Sequence, residues 1–477
     1  MEERRAGLAR TLSAVGWAPA TVLCLGVWLH AADSLLAATV MPSAVAEIGG
    51  LAFIYWAIAL YQLGSIVAGA VTAIFAIRLG LRAAMSLAAL IYATGCAASA
   101  LAPDIATMLL GRLLQGLGGG WMLALSHLGI TQLFPARAWP QLLALISGVW
   151  GVSALVGPLI GGLFATAGHW RGAFWAFAAQ AVVLAAAVPA MANSSSAPPA
   201  AEARVPWRRV AVLSAGVLAI LGAGVQAEIG RALALVALGL ALLAFALRLE
   251  SRGEQRLFPP RPLALGTRWG TGYVLVLSLS TATVSFTVYG PFLMETLFDA
   301  TPLLAGFMIA IESVAWTIAA IAFAGAATRL EPILIRSGAL AITAGIAGFA
   351  LVMPDGPIAA LIPWAALQGA GFGMCWAFVM RRIVESVPPA ERERAASAMP
   401  TMQILGYAIG AAASGLVANM SGLAAEAAPP AVEAAAFWVF AAFLPLAALG
   451  VSSAWRLAPR TDVASGAGGE EGRQPKR

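Results

Sequence analysis

Three charged side chains, those of Asp33, Arg112 and Glu312, lie inside long runs of apolar residues. A charge at the centre of a bilayer costs about 2.5 to 3.5 kcal/mol on insertion scales, so such residues are functional candidates. A carboxyl group can take up and release a proton when its surroundings change, because burial raises a carboxyl pKa and a nearby arginine lowers it. These residue types predict proton exchange at Asp33 and Glu312, controlled by movement relative to Arg112.

The composition indicates the surroundings of these charges. The chain has 477 residues, of which 61% are hydrophobic and 10% charged, with a mean hydropathy of +0.86. Soluble proteins have about 25% charged residues, so an ordinary soluble protein is excluded. A membrane-spanning helix needs about 20 mostly apolar residues. Fourteen such spans are predicted, at residues 16–41, 53–77, 83–101, 105–133, 141–166, 172–191, 210–227, 232–247, 270–293, 303–326, 333–352, 357–380, 396–418 and 434–455.

The basic residues test this count, since positive charge concentrates in the cytoplasmic loops of membrane proteins. When alternate loops are assigned to opposite sides, 25 of the 28 basic residues fall on the side of the N terminus. Arg171 and Arg231 fall on the other side, and Arg112 lies within a span. Removing one helix of the pair at 210–247 would reverse the bias of every later loop. The sequence therefore predicts a multi-pass protein of the inner membrane with both termini in the cytoplasm.

Several function classes have little support in the sequence. The three cysteines, Cys24, Cys96 and Cys375, lie in apolar runs without the spacing of a disulfide or metal site. The three histidines form no catalytic cluster and no nucleotide-binding loop is present, so neither an enzyme nor a cofactor is expected. The net charge of +6 follows from the loop bias and requires no nucleic acid partner.

The segment that begins at Leu113 is repeated without gaps in the segment that begins at Ala366, at a constant spacing of 253 residues. Membrane-protein folds are often built from such duplicated halves. We therefore predict an N-terminal six-helix bundle at 1–192, linkers and two additional helices at 193–262, a C-terminal six-helix bundle at 263–456 and a cytoplasmic tail at 457–477. The repeated residues are Gln115, Gly116, Gly118, Gly120, Pro135, Gly157 and Gly162, which recur as Gln368, Gly369, Gly371, Gly373, Pro388, Gly410 and Gly415.

Motifs in three of the spans can be compared with known families. The first span contains DSLLAATVMP from Asp33 to Pro42, and the fourth contains GRLLQGLGGG at 111–120. The fifth contains GVWGVSALVGPLIGG at 148–162 and is followed by HWRGAFW at 169–175. These segments resemble motifs of the major facilitator superfamily, and within it of the fourteen-helix drug:proton antiporters.

A further motif lies between the second and third spans. The segment AIFAIRLGLR at 73–82 is similar to the family's loop motif Gly-x-Leu-Ala-Asp-Arg-x-Gly-Arg-Arg. Arg78, Gly80 and Arg82 match it, whereas Ile77 stands where the family has aspartate. The resemblance thus assigns a conformational role to this loop, without the acidic partner of its usual charge latch.

The resemblance implies an all-α polytopic membrane protein with the major facilitator fold. It also implies export of lipophilic, cationic compounds in exchange for protons by alternating access. The expected partners are the lipid bilayer, a small-molecule substrate and protons, and the expected functional unit is a monomer. A major facilitator transporter, exporter or symporter, for a dedicated metabolite is the alternative, because the fold does not determine the substrate.

Depth in the membrane allows one pair of the charged residues to meet. Asp33 lies eight residues before Met41, and Arg112 lies seven residues after Ile105. At 1.5 Å per residue, both lie about 10 to 12 Å below the outer surface. An Asp33–Arg112 pair is therefore possible, either as part of proton coupling or as a static salt bridge that joins two helices.

Glu312 lies near the middle of the tenth span, and Trp316 shares its helical face because it follows four residues later. An acid beside an aromatic face suits a lipophilic cation through charge pairing and cation–π attraction. The alternative is a hydrogen bond between helices. The full set of candidate cavity residues, each of which could instead serve packing, is Gln115, Trp121, Trp150, Tyr289, Trp316, Gln368 and Trp376.

The fifth span carries small residues and a proline that favour bending. Gly157, Gly161 and Gly162 allow close helix approach, and Pro158 removes a backbone hydrogen bond. In the second half Ala411 stands at the position of Pro158, as the resemblance to an antiporter implies. These residues predict either a hinge for alternating access or packing alone.

Overall fold

The computed structural model describes residues 17–135, 139–190, 207–226, 228–251, 258–324, 326–423 and 429–458, and its regular elements there are all helical. Within the predicted region of linkers and additional helices at 193–262, residues 193–206 and 252–257 lie outside the described residues, as does the tail beyond 458. The α-helices of this part are α1 Trp17–Ile48, α2 Ile54–Ala100, α3 Ile105–Leu133, α4 Trp139–Thr166, α5 Trp170–Ala187, α6 Trp207–Ala223, α7 Ile229–Ser251, α8 Arg268–Phe298, α9 Pro302–Phe323, α10 Glu331–Val352, α11 Leu361–Ser386, α12 Arg392–Met420, α13 Pro429–Ala441 and α14 Leu444–Leu457.

Twelve helical segments of the described chain are long and apolar enough to cross a membrane. They include α7, which has 23 residues and is thus longer than the predicted span at 232–247. Two predicted spans fall outside this set. The first, α6, has only 17 residues, and the second, α3, contains Arg112, Gln115 and a run of glycines that lower its hydropathy. The chain is a multi-pass membrane protein, and fourteen crossings stay a prediction.

At two places the backbone interrupts a run of helical residues. Within α2, Gly80 has φ 75° and ψ 158°, which breaks the helix between the second and third predicted spans. Glycine adopts this conformation without the steric penalty of a side chain. The last predicted span, at 434–455, is divided between α13 and α14 at Ala442 and Phe443.

The helices pack as two groups in which equivalent elements contact each other. In the first group α1 packs against α4, and α2 packs against α3. In the second group α8 packs against α12, and α10 packs against α11. The two groups meet where α4 contacts α9 and where α2 contacts α12. Helices α6 and α7 pack against each other, and α6 also contacts α2 and α12.

The contact between α4 and α9 is tight at one end and loosens along the helices. A Cβ added at Gly162 would lie 2.6 Å from the Pro302 carbonyl oxygen, whereas one at Gly151 would lie 3.6 Å from Thr317 Oγ1. At Gly148 a Cβ would meet nothing within 4 Å. We call the tight end, which also holds the start of α2 and the end of α12, the closed end.

A second junction at the closed end joins α2, α6 and α12. The Tyr55 hydroxyl donates to the Leu221 carbonyl at 3.0 Å, and a Cβ at Gly415 would collide with the Tyr55 ring. The side-chain amide of Asn419 donates to the carbonyls of Ala52 at 3.1 Å and Gly224 at 2.7 Å. The end of α6 is therefore bonded to both helix groups.

Candidate functional site

Asp33 and Arg112 form a buried ion pair between α1 and α3. Arg112 Nη1 donates to Asp33 Oδ1 at 3.0 Å and to Oδ2 at 3.1 Å, and both side chains are 0% exposed. The pair that the depth argument allowed is thus present in the structure. Removing one member of such a pair strands the other charge in an apolar interior, which is strongly unfavourable.

The same Arg112 nitrogen also binds the neighbouring glutamine on α3. Nη1 donates to Gln115 Oε1 at 2.7 Å, and the guanidinium lies 4.4 Å from the centroid of the Tyr61 ring. The Arg112 Nε–H donates to the Ala57 carbonyl at 3.4 Å. One cationic nitrogen therefore joins a carboxylate and an amide carbonyl, with an aromatic ring against its apolar face.

Gln115 is held at both ends of its amide. Its Oε1 accepts from Arg112, and its Nε2 donates to the Cys96 sulfur at 3.0 Å. We predicted no redox or metal role for Cys96, and the structure shows it as a weak hydrogen-bond acceptor. A contact of this kind depends on the approach of α2 and α3, so spacing alone gave no signal for it.

His30 and Tyr61 extend the buried polar group beyond the residues that the sequence singled out. The Tyr61 hydroxyl lies 3.1 Å from His30 Nδ1 and donates to the His30 carbonyl at 2.9 Å. Trp150 meets the His30 ring edge-on at 5.8 Å. The available signal was spacing, since His30 precedes Asp33 by three residues and shares its helical face.

Glu312 on α9 is bound by Gln368 on α11, so the hydrogen bond between helices that was the alternative for Glu312 is present in the structure. Gln368 Nε2 donates to Glu312 Oε1 at 3.0 Å. Glu312 is partly exposed, whereas Gln368 is fully buried. Gln368 Oε1 has no hydrogen-bond partner within the described part of the chain. A buried carbonyl without a donor is costly, by about 1 to 3 kcal/mol, so this oxygen calls for an explanation.

Three aromatic rings lie one to two helical turns from the Glu312–Gln368 pair along α9 and α11 and form what we call the aromatic cluster: Trp316, Phe372 and Trp376. The rings of Trp316 and Phe372 are stacked with centroids 4.7 Å apart. Trp376 meets Phe372 edge-on at 5.0 Å and Trp316 at 6.1 Å. Trp316 and Trp376 are partly exposed, so the cluster borders open space or lipid.

The other predicted cavity residues lie apart from this cluster. Trp121 is 6% exposed and packs edge-on against Phe75 at 5.2 Å. Tyr289 on α8 is 0% exposed, and its hydroxyl has no partner among the described residues. Trp150 is 37% exposed. The structure therefore brings together Glu312, Trp316, Gln368 and Trp376, and separately Asp33, Arg112 and Gln115.

The predicted conformational residues of α4 contact α1 and α9. The Thr39 hydroxyl donates to the Pro158 carbonyl at 3.1 Å, which joins α1 to α4. A Cβ at Gly157 would collide with the Ala32 backbone, and one at Gly161 with the Thr39 hydroxyl. Close approach to α1 thus explains the absence of side chains at these positions.

The loop motif near Gly80 has exposed Arg78 and partly exposed Arg82. In the second helix group, the corresponding turn begins α10 with a buried acid, Glu331, that pairs with Arg381 and Arg382 of α11. Arg382 Nε lies 3.1 Å from Glu331 Oε2. This acidic partner was missed by sequence reasoning, although Glu331 next to an apolar run was visible.

Asp104 precedes the helix that carries Arg112. Its carboxylate caps α3 by accepting from the Thr107 backbone N–H at 2.8 Å. That hydrogen bond lowers the pKa of the Asp104 carboxyl, because it favours the charged form. The cap fixes the first turn of α3, and Arg112 follows two turns later.

Comparison with known proteins identifies the family. Residues 23–365 match the model of the Major Facilitator Superfamily. The chain is 30% identical over 452 residues to the probable multidrug-efflux transporter Rv1634 of Mycobacterium tuberculosis, which covers 92% of this chain and 94% of that protein. It is also 31% identical over 163 residues to the efflux pump FUS6 of Gibberella moniliformis, covering 34% and 29% respectively. The chain belongs to the major facilitator superfamily.

Solved structures with the same fold are more distant in sequence. A D-xylose–proton symporter superposes with a TM-score of 0.64 at 17% identity, covering 93% of this chain and 97% of that one. A peptide transporter bound to alafosfalin superposes with a TM-score of 0.67 at 14% identity, covering 92% and 95%. At these identities the likeness establishes the fold, and the chain is a transporter of that fold.

Proposed function

We propose that this transporter exports lipophilic cations in exchange for protons by alternating access. The observation that carries the proposal is Glu312, a partly exposed carboxyl within the bundle that contacts a glutamine and lies beside the aromatic cluster. A cation and a proton would compete for this carboxyl, which is the chemistry that antiport requires. The similarity to a probable multidrug-efflux transporter supports export of drug-like compounds.

Asp33 is the second proton-coupling carboxyl in this proposal. It is bound to Arg112 in the state described by the structure. Separation of the two side chains during the cycle would change the proton affinity of Asp33, because the arginine favours its charged form. The alternative, a static ion pair, predicts that transport persists when both residues are replaced together.

The closed end supports an alternating-access cycle. Gly162 and Pro302, together with Tyr55 and Gly415, join the two helix groups there, whereas the α4–α9 contact loosens toward Gly148. We assign the closed end to the outside and propose fourteen crossings, with both termini in the cytoplasm. The charge bias of the loops supports this orientation in the inner membrane. The two six-helix halves would rock about the glycine-rich contacts, in a transporter that acts as a monomer.

The test uses liposomes that contain the full chain and an imposed proton gradient. A fluorescent lipophilic cation is followed with the native protein, Asp33→Asn and Glu312→Gln. We expect the native chain to move the cation in response to the gradient. In Glu312→Gln the rate of this movement should fall at least about tenfold, which corresponds to about 1.4 kcal/mol in activation free energy. Movement that ignores the gradient, or no movement of any cation, would contradict the proposal and favour a dedicated metabolite carrier.

A matched control separates loss of coupling from loss of folding. Glu385→Gln also removes a carboxyl from the second helix group, but Glu385 lies near the end of α11, where it makes an exposed ion pair with Arg381. This variant should retain gradient-driven transport. All variants should elute as the native protein does on size exclusion.

A further inference from the structure

The two helix groups contain equivalent positions that can be matched by their glycine contacts. A Cβ at Gly116 would collide with the Tyr61 carbonyl, and a Cβ at Gly369 would collide with the Glu312 carbonyl. Gly116 and Gly369 are themselves related by the 253-residue repeat. Glu312 therefore occupies in the second group the place that Tyr61 occupies in the first.

The same correspondence relates the two glutamines and their neighbours. Gln115 corresponds to Gln368, and Arg112 corresponds to Ala365, which is 0% exposed. In the first group Arg112 Nη1 supplies a cationic N–H to the carbonyl of Gln115. In the second group the equivalent carbonyl, Gln368 Oε1, is buried and has no partner within the described residues.

We propose that the second group binds a substrate cation that carries N–H donors, and that this cation supplies to Gln368 what Arg112 supplies to Gln115. The substrate nitrogen would join the carboxylate of Glu312 to the carbonyl of Gln368. Arg112 Nη1 makes the same two kinds of contact in the first group, at 3.0 Å to Asp33 Oδ1 and 2.7 Å to Gln115 Oε1, although the carboxylate there comes from α1. The inference rests on the proposed export of lipophilic cations and narrows their class.

The apolar surroundings of the two positions are also comparable. The Tyr61 ring lies 4.4 Å from the Arg112 guanidinium. Next to Glu312, the aromatic cluster offers the partly exposed rings of Trp316 and Trp376. These rings supply the cation–π attraction and the apolar contact for the body of a lipophilic cation.

The preference for hydrogen-bond donors on the cation follows from Gln368 Oε1, which has no donor among the described residues. A fully N-alkylated cation could pair with Glu312 and pack on the aromatic cluster, but would leave Gln368 Oε1 without a donor. Sites built to hydrogen-bond a substrate group discriminate strongly against analogues that lack it, because their buried polar atom stays unpaired. The site should therefore prefer primary, secondary or protonated tertiary amines and similar N–H cations to quaternary ones.

The test compares two fluorescent dyes of equal charge with the full chain in detergent micelles. Rhodamine 6G carries N–H groups, whereas the ethyl ester of rhodamine B is fully N-alkylated. We expect native protein to bind rhodamine 6G at least about tenfold more tightly in an equilibrium polarisation measurement. In Gln368→Leu the ratio should fall to about twofold or less, through weaker binding of rhodamine 6G alone.

Two further variants keep the result interpretable. Gln180→Leu removes a glutamine of α5 that bonds to Trp28, and it should retain the native ratio. Gln368→Met preserves side-chain length if Gln368→Leu does not fold, and it should lose the preference in the same way. Equal binding of both dyes by native protein, or an unchanged ratio in the Gln368 variants, would overturn the inference.

The same dyes distinguish this inference from the proposed function. Proton-driven transport of both dyes with equal affinity would retain antiport and reject the N–H preference. A preference lost in Gln368→Leu, without any proton-driven transport, would retain the binding site and reject antiport. Failure of both dyes to bind would reject the site as described.

Discussion

The two helix groups share a frame and differ in charge. Gln115 and Gln368 occupy equivalent positions beside glycines that allow equally close helix contacts. In the first group the glutamine carbonyl is bound by Arg112, whose charge is balanced by Asp33. In the second group the arginine position is Ala365, and the carboxyl belongs to Glu312 on another helix. In the first site the two charges balance, although Arg112 Nη2 has no partner among the described residues. In the second site Glu312 has no cationic partner there, and Gln368 Oε1 has no donor within the same residues.

This difference shows how two helix groups with the same arrangement can have two roles, one in stability and one in ligand binding. A complete internal ion pair holds α1 and α3 together without any ligand. Glu312 accepts from an amide and has no cationic partner among the described residues, so a substrate can supply its counter-charge. We therefore expect substitutions at Asp33 to lower stability as well as proton coupling, and substitutions at Glu312 and Gln368 to act on binding and coupling with little loss of stability.

The largest expected effect is on the ion pair. Asp33→Asn should lower the free energy of unfolding by about 3 to 5 kcal/mol, because Arg112 would remain buried without its counter-charge. Glu312→Gln should change it by less than about 1 kcal/mol, since an amide can still accept from Gln368. Thermal unfolding of the purified variants, followed by size exclusion, measures both.

A double variant isolates the cause of this loss. Asp33→Leu combined with Arg112→Met replaces both charges by apolar side chains and should recover most of the stability. If it is less stable than Asp33→Asn, packing rather than the stranded charge explains the loss. Equal sensitivity of Asp33→Asn and Glu312→Gln would contradict the division between the two groups.

Depth and repeat together allowed much of this arrangement to be predicted. The depths of Asp33 and Arg112 below the outer surface indicated that they could meet, and the structure has them paired. The constant spacing between Gln115 and Gln368 indicated equivalent places. Both arguments work because helix rise and duplication are regular, so position along the chain converts directly into position in space.

The equivalence of Tyr61 on α2 and Glu312 on α9 could not be predicted in that way. The gapless repeat relates the chain from Leu113 to the chain from Ala366, and it does not include Tyr61 or Glu312. Their equivalence is visible only through the backbone contacts of Gly116 and Gly369. Likewise, whether the Gln368 carbonyl has a donor depends on which side chains lie near it in the fold, and the sequence pattern does not show this.

The two glutamines should respond differently to the same substitution. Gln115→Leu removes a hydrogen bond to a charged group and should lower the free energy of unfolding by about 1.5 to 3 kcal/mol. Gln368→Leu removes one hydrogen bond and one buried unsatisfied oxygen, so the two effects offset and the change should stay below about 1 kcal/mol. Chemical or thermal unfolding in the same detergent provides the comparison. A Gln368→Leu variant as unstable as Gln115→Leu would show that its carbonyl is bound in the native state.

The smallest expected effect concerns the two junctions at the closed end. Glycines and Pro302 make the α4–α9 junction, whereas the α2–α12 junction contains two hydrogen bonds from Asn419 to Ala52 and Gly224. Asn419→Ala removes both and should destabilise this junction by about 1 to 2 kcal/mol. Since these bonds join α12 to α2 and α6, their loss should raise the ratio of separated to closed states by about 5- to 30-fold.

Spin labels at the ends of the two groups can measure that shift. Leu101 follows the last residue of α2, and Leu351 lies in the last turn of α10, both at the closed end. Their side chains are 68% and 70% exposed, so cysteines at these positions in a cysteine-free background should be tolerated. The longer interspin distance should gain population in Asn419→Ala. Ser421→Ala is the matched control, because the Ser421 hydroxyl donates to the Val417 carbonyl of its own helix end at 2.9 Å. If both variants keep the native distance distribution, the hydrogen bonds of Asn419 do not hold the two groups together, and the packing at Gly162 and Gly415 determines closure.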